Sequence, residues 1–162
     1  MEEVFVGKIV NTHGIKGEIR IVSDFELKEK VFKVGSYVLI NHQEFKIKSY
    51  RIHKNFDMIS LVGFDDINQV IPFKGLNLYV KREDLELDKD DYLMEDLIGL
   101  SVLIAGVNYG VVKDYNRGQN SLLHIDYQDK VYYIPLRGSF IKNIDLDKRE
   151  IDVTEDVKGL IL

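Results

Sequence analysis

The sequence predicts an all-β protein made of two small β-barrel domains. Twelve short runs rich in β-branched and aromatic residues follow one another, and turn-like segments separate them. The runs form two groups of six, and the strongly acidic segment 83–91 lies between the groups. A chain of 162 residues accommodates two such domains. We therefore expect a first domain over 1–82, an acidic linker over 83–91 and a second domain over 92–162.

The first group of runs predicts a six-stranded barrel with two short helical segments. Segments 25–32 and 66–73 have helical spacing, and Pro72 is expected to end the second one. Asp65 and Asp66 precede that segment, where capping of exposed N–H groups explains them better than acid/base chemistry does. The strands are predicted at 4–10, 18–22, 37–40, 45–52, 58–62 and 77–80.

The second group of runs predicts another small barrel. Its last two runs alternate apolar and polar residues on both sides of a charged turn at 147–149, which is the period of a half-buried hairpin. The strands are predicted at 101–104, 110–115, 122–127, 131–134, 141–145 and 150–153.

A compact loop between the first two predicted strands has an unusual composition. Its two glycines, Gly14 and Gly17, suit a turn of fixed shape, because glycine tolerates positive φ and a close approach of another backbone. Asn11, His13 and Lys16 are expected on this turn, where they would form a contact surface. An ordinary barrel turn with incidental polar residues fits the same spacing.

Charge is divided unevenly along the chain, whose net charge is −5. Residues 1–82 contain 13 Lys and Arg against 10 Asp and Glu, whereas residues 83–162 contain 9 against 17. The first part is only weakly suited to neutralising phosphates, and the second part should repel RNA and attract basic proteins. An acidic surface that confers nothing more than solubility is the alternative.

Residues suited to catalysis or cofactor binding are scarce. Cysteine is absent, which excludes disulfides, thiolate metal sites and a cysteine nucleophile. The histidines His13, His42, His53 and His124 lack metal-ligand spacing, and the chain has no nucleotide-binding or serine-hydrolase motif. We therefore expect no catalytic residue, no metal and no cofactor. The sequence also lacks an apolar signal segment or a bilayer-spanning run, which predicts a cytoplasmic protein without membrane attachment. A monomer is expected because the sequence shows no heptad repeat or self-complementary surface.

Apolar residues follow the acidic segment directly. Tyr92, Leu93 and Met94 precede Glu95 and Asp96. An apolar anchor surrounded by carboxylates is a surface that a basic protein would bind, because the anchor supplies affinity and the charges steer the approach. Packing of Tyr92 and Leu93 into the second barrel or against the first domain is the alternative.

Four stretches together resemble the RimM family of ribosome maturation factors. They are V-G-K-I-V-N-T-H-G-I-K-G-E-I-R-I at 6–21, Y-L-M-E-D-L-I-G at 92–99, R-G-Q-N at 117–120, and the run from Y-I-P at 133–135 to F-I-K-N-I-D at 140–145. The resemblance covers essentially the whole chain in the same order. It implies a six-stranded barrel similar to those of translation factors, followed by a PRC-barrel domain.

The resemblance also implies a function and a set of contact residues. Family members act as non-enzymatic assembly factors that bind the small-subunit ribosomal protein numbered nineteen in the S series. They promote maturation of the small-subunit head, and processing of its ribosomal RNA is the downstream readout. The resemblance implies a docking role for Tyr92 and Leu93, and with the neighbouring apolar and acidic residues the predicted partner-binding set is Tyr92, Leu93, Met94 and Asp96. Members commonly have two adjacent aromatics where this chain has Tyr92 and Leu93, and leucine keeps the apolar area but lacks the ring and hydroxyl.

A barrel protein that binds or modifies RNA directly is the main alternative. Alternation along 45–52 predicts that Lys46, Lys48 and Tyr50 share one face, although a merely solvated strand face predicts the same pattern. The basic residues that would gather on the first barrel are Lys8, Lys16, Arg20, Lys46, Lys48, Arg51 and Lys54.

Overall fold

The structure is a computed structural model that describes residues 2–118 and 120–161. Within these residues, twelve strands form two six-stranded sheets, which confirms the all-β prediction. The chain divides into two compact units, Met1–Asp91 and Tyr92–Leu162. Gln119, which belongs to the R-G-Q-N stretch, lies outside the described residues.

The first unit is a closed antiparallel barrel with the strand order β1-β2-β5-β4-β3-β6. Pairing of β1 with β6 closes it. Alternate residues of the strands fill the interior, as in β2, where Ile19 and Ile21 are fully buried and Arg20 lies between them on the outer face. The strands are β1 Glu3–His13, β2 Glu18–Val22, β3 Tyr37–Ile40, β4 Gln43–His53, β5 Phe56–Leu61 and β6 Asn77–Lys81.

Two short helices interrupt the barrel, α1 at Lys28–Val31 and α2 at Ile67–Val70. Asp66 caps α2 by accepting a hydrogen bond from the Asn68 N–H at 2.7 Å, so the capping interpretation of this aspartate is confirmed. The α-helix ends before Pro72, which has no N–H to continue it and lies in the following 3₁₀ turn, Ile71–Phe73.

A β-bulge at 47–49 changes the face that the second half of β4 presents. Beyond the bulge, Tyr50 pairs with the fully buried Ile59 of β5. The prediction that Tyr50 shares a face with Lys46 and Lys48 is therefore wrong. Strict alternation fails here because the bulge adds one residue to β4 that has no partner on β5.

The acidic segment 83–91 groups with the first unit. Its first residues form a 3₁₀ turn, Arg82–Leu85, that buries Leu85. Lys30 holds the remainder, because its Nζ donates to the Glu86 carbonyl at 2.9 Å and pairs with Asp88 at 3.3 Å and Asp91 at 3.2 Å. The segment is therefore attached to the barrel along much of its length.

The second unit is a six-stranded sheet with the order β10-β9-β8-β7-β12-β11, in which only the β12–β7 pair is parallel among the described strands. A core cluster that includes Leu97, Val102, Ile125 and Ile151 lies against it. None of the helices in the described ranges has the length and hydropathy of a membrane span. The strands are β7 Ser101–Ile104, β8 Val107–Asn116, β9 Leu122–Tyr127, β10 Lys130–Pro135, β11 Ile141–Asp145 and β12 Glu150–Val153.

Candidate functional site

The loop between β1 and β2 has a fixed shape. Gly14 and Gly17 have φ angles of +74° and +89°, in the left-handed region that favours glycine. Gly17 also lies against the backbone before α2, because a Cβ built on it would be 2.6 Å from the carbonyl oxygen of Phe64. The Ile15 carbonyl accepts a hydrogen bond from the Ile67 N–H at 3.0 Å. The loop is therefore docked on the segment that Asp66 caps.

The predicted loop residues differ in what they present to solvent. Asn11, Gly14 and Lys16 are exposed, His13 is half-buried and Gly17 is buried. Gly17 thus supports the turn from a buried position. The contact role of the five residues stays a prediction.

His13 belongs to a group of basic side chains on the outer face of the barrel. The Arg20 Nη2 donates a hydrogen bond to His13 Nδ1 at 3.0 Å, and the rings of His13 and His53 have centroids 5.5 Å apart. The Arg20 guanidinium also lies over the Phe56 ring, 4.9 Å from its centroid. We call His13, Arg20, His53 and Phe56 the His–Arg cluster. Sequence spacing does not reveal it, since its members come from four strands.

An ion pair flanks the His–Arg cluster. Glu18 accepts two hydrogen bonds from Arg51, both at 2.8 Å, in the bidentate geometry that suits a guanidinium. The hydrogen bond from Arg51 lowers the pKa of Glu18. Desolvation lowers the pKa of His53, and the positive charges of Arg51 and Lys54 lower it further. The surroundings of His53 are therefore electropositive.

The 92–98 segment opens the second unit with a short turn. Leu93 and Met94 are only 0% and 1% exposed, so both side chains are inaccessible in this structure. Asp96 caps the 3₁₀ turn Met94–Leu97, because its carboxylate accepts a hydrogen bond from the Leu93 N–H at 3.1 Å. Tyr92 packs against the core of the second unit and remains half-exposed.

The exposed part of the 92–98 segment is therefore smaller than the sequence suggests. Glu95 is exposed, and Ile98 is 42% exposed. With Tyr92 they form what we call the Tyr92 surface. Burial of Leu93 agrees with the packing alternative, and the partner-binding role of Tyr92, Leu93, Met94 and Asp96 stays a prediction.

The distribution of charge also looks different once the units are known. Residues 1–91 contain 14 Lys and Arg against 16 Asp and Glu, and residues 92–162 contain 8 against 11. The two units thus have net charges of −2 and −3. Most of the acidic excess lies in segment 83–91, which has 6 acidic residues and 1 basic residue.

Asp57 is a buried carboxylate of the first unit and thus a candidate for acid/base chemistry. Asp57 is buried and accepts hydrogen bonds from Lys28 Nζ at 2.8 Å and the Tyr50 hydroxyl at 2.7 Å. Both oxygens of Asp57 are thereby engaged, and burial together with Asp57 raises the pKa of Tyr50. The arrangement fits a structural ion pair, and the Tyr50 ring that donates to it also stacks on Phe32.

Comparisons with known proteins agree with one another. The family model of the RimM N-terminal domain matches residues 4–85. A ribosome maturation factor RimM from Exiguobacterium is 35% identical over 99% of this chain and 98% of its own length. One from Geobacillus thermodenitrificans is 37% identical over 99% of this chain and 98% of its own.

A solved structure also matches at lower similarity. The solution structure of the N-terminal domain of RimM from Thermus thermophilus is 19% identical with a TM-score of 0.47, and the match covers 54% of this chain and 98% of that domain. The family model and the two full-length relatives decide the assignment: the chain belongs to the RimM family of ribosome maturation factors.

Proposed function

We propose that this chain is a non-enzymatic assembly factor that binds the small-subunit ribosomal protein numbered nineteen in the S series. By holding that protein during its docking, the chain promotes maturation of the small-subunit head in the cytoplasm, and processing of the ribosomal RNA follows. Its membership of the RimM family supports this function, since the relatives named above are ribosome maturation factors. The chain acts as a monomer and makes or breaks no bond.

The Tyr92 surface is the observation that carries the proposal. Leu93 and Met94 are buried and Asp96 caps the turn, so the position of Tyr92 is fixed before a partner arrives. A partner then gains the contact without the entropy cost of ordering the segment. A half-exposed tyrosine beside an exposed carboxylate, Glu95, is suited to a basic protein, because aromatic residues dominate interface energetics and opposite charge guides the encounter.

Segment 83–91 adds to the attraction for a basic partner. Its excess of five negative charges precedes Tyr92 in the sequence and is the largest local concentration of charge in the chain. Charges of this kind accelerate association more than they lengthen the lifetime of a complex. The proposal therefore assigns steering to segment 83–91 and affinity to the Tyr92 surface.

The β1–β2 loop supplies a second contact in this proposal. Its exposed residues include Asn11, Lys16 and the 79%-exposed Ile15, on a turn that Gly17 holds in place. Such a rigid and exposed loop suits recognition of the immature subunit while the second domain holds the ribosomal protein.

Calorimetric titration of the purified ribosomal protein into the full chain tests the proposal. Tyr92→Ala should weaken binding by at least about tenfold, as expected for a central aromatic contact. Tyr133→Ala is the matched control, because Tyr133 is a 50%-exposed tyrosine of the same unit. Unchanged binding by a folded Tyr92→Ala variant, or equal losses of affinity in both variants, would show that the Tyr92 surface does not bind the ribosomal protein.

A further inference from the structure

Arg20 differs from the other arginines of the first unit in its partners. Arg51 pairs with Glu18 at 2.8 Å and Arg82 pairs with Glu2 at 3.4 Å. Arg20 forms no ion pair with any residue in 2–118 or 120–161, and its Nε is buried without a hydrogen-bond acceptor. A partly buried guanidinium that has no carboxylate partner, and whose Nε has no acceptor, is costly for the fold, and a ligand that satisfies it would reduce that cost.

The one acceptor that Arg20 does meet cannot neutralise it. A guanidinium has no lone pair to share, so His13 Nδ1 must accept the 3.0 Å hydrogen bond and is unprotonated. The neutral His13 ring then carries its proton on Nε2, which makes a second N–H donor available beside Arg20. His53 adds a third group 5.5 Å from the His13 ring.

Charges on the surrounding strands make this location positive. Arg51 and Glu18 cancel each other through their bidentate pair, whereas Arg20 and the exposed Lys54 remain. The groups that face His53 are therefore His13 from β1, Glu18 and Arg20 from β2, Arg51 from β4, and Lys54 from the turn after it. Donors and positive charge together suit a tetrahedral oxyanion.

We propose that the His–Arg cluster is a binding site for a phosphate group, in which Arg20 supplies the charge and His13 and His53 supply additional N–H donors. The proposal deepens the proposed function, because it assigns a phosphate ligand to the end of β1, where the β1–β2 loop begins. It is independent of the Tyr92 surface, which lies in the other unit.

Proton uptake is a consequence of this site. Desolvation, together with repulsion by the neighbouring cations, keeps the pKa of His53 below its ordinary value in the free protein. A bound anion offsets their repulsion, so binding raises the pKa of His53. The complex then holds more protons than the free protein, and affinity for the anion should rise as the pH falls from about 6.5.

Nuclear magnetic resonance of the imidazole groups in the full chain tests the site. Sulfate is the first probe, because it is tetrahedral and keeps its charge across the range in which histidine titrates. It is added at constant ionic strength against chloride, and the His53 titration is followed between about pH 5 and pH 8. We expect sulfate to move the His53 midpoint upward, whereas a midpoint that does not move would overturn the proposal.

Two variants separate the site from general basic character. Arg20→Gln should lower sulfate affinity by about tenfold or more, in keeping with loss of a charged donor. Lys46→Gln removes the same charge from β4, where Lys46 lies near the Tyr37 ring, and should leave the affinity nearly unchanged. Equal losses in both variants would overturn the proposal, and the wild-type titration decides the matter even if Arg20→Gln does not fold.

A competition arm identifies the source of the phosphate group. A short single-stranded RNA that displaces sulfate from the wild type, and that binds Arg20→Gln more weakly than the wild type, identifies the RNA backbone. Inorganic phosphate that competes where RNA does not identifies a free phosphate ion. Binding of the ribosomal protein is measured separately with Tyr92→Ala, so failure of the phosphate site and failure of the proposed function give different results.

Discussion

Gly17 lies so close to Phe64 that a Cβ on the glycine would be 2.6 Å from the phenylalanine carbonyl oxygen. The same contact ties the β1–β2 loop to the capped start of α2. Gly14, three residues earlier, also has a positive φ, but a Cβ built on it would meet no atom within 4 Å. A comparison of the two glycines therefore separates the energetic cost of a side chain at positive φ from the cost of a side chain in a closely packed position.

Alanine substitutions at these glycines should have unequal effects on stability. Gly14→Ala should cost about 1 kcal/mol, the usual penalty for a side chain in the left-handed region. Gly17→Ala adds a collision with backbone and should cost about 2 kcal/mol or more. Urea unfolding of both variants measures the difference, and equal losses would show that Gly17 is not held against Phe64.

The ion pair between Lys28 and Asp57 should contribute to stability. Lys28→Met leaves the buried carboxylate without its cation, and since the Lys28 side chain is 38% exposed we expect a loss of about 2 kcal/mol, less than for a fully buried pair. Lys33→Met is the matched control on an exposed lysine. Thermal unfolding of the two variants measures the effect, and a loss no greater than that of the control would contradict it.

Alkaline pH should destabilise the second unit through Tyr132. Burial raises the pKa of Tyr132 to about 12, and its hydroxyl donates to the Tyr109 carbonyl at 2.7 Å. Because the folded state holds this proton more tightly than the unfolded state does, stability is constant below about pH 10 and falls as the pH rises toward 12.

Unfolding measured across this range should show a shallower decline in Tyr132→Phe. The variant loses the hydrogen bond to Tyr109 at every pH, so only the slope is diagnostic. Tyr133→Phe, with an exposed ring, is the control and should keep the wild-type slope. A slope in Tyr132→Phe that equals the wild-type slope would assign the decline to other groups.

Leu93 should contribute to the folding stability of the chain and not to direct contact with the ribosomal protein. Leu93→Ala removes a fully buried side chain and should cost about 2–5 kcal/mol, whereas Leu93→Met conserves volume and should cost less than about 1.5 kcal/mol. Denaturant unfolding together with ribosomal-protein titration distinguishes the two effects. If a folded Leu93→Met variant lost binding as severely as Tyr92→Ala, Leu93 would have a direct contact role that its burial does not suggest.

The sequence predicts the strands well because their signals are local. Each of the twelve predicted runs overlaps an observed strand, and the capping role of Asp66 follows from its position before an apolar helical pattern. The β4 bulge is missed, since nothing in residues 45–52 marks where an extra residue enters the ladder, and Tyr50 is therefore assigned to the wrong face.

The candidate site is harder to predict because its contacts are between distant residues. His13 and His53 are forty positions apart, and the barrel brings their rings to 5.5 Å. Leu93 and Met94 look accessible beside an acidic segment, although both are buried, and the core that Met94 completes cannot be seen in one short stretch. The attachment of segment 83–91 through Lys30 is likewise a contact between residues far apart in the chain.

Co-purification of the tagged full chain from cells tests the central claim most directly. Proteins and RNA that accompany the wild type, Tyr92→Ala and Tyr133→Ala are identified by mass spectrometry and sequencing. We predict that the wild type and Tyr133→Ala bring down ribosomal protein nineteen of the S series with immature small subunits, and that Tyr92→Ala loses that protein. Recovery of large-subunit precursors instead, or of small subunits equally well with folded Tyr92→Ala, would contradict the claim.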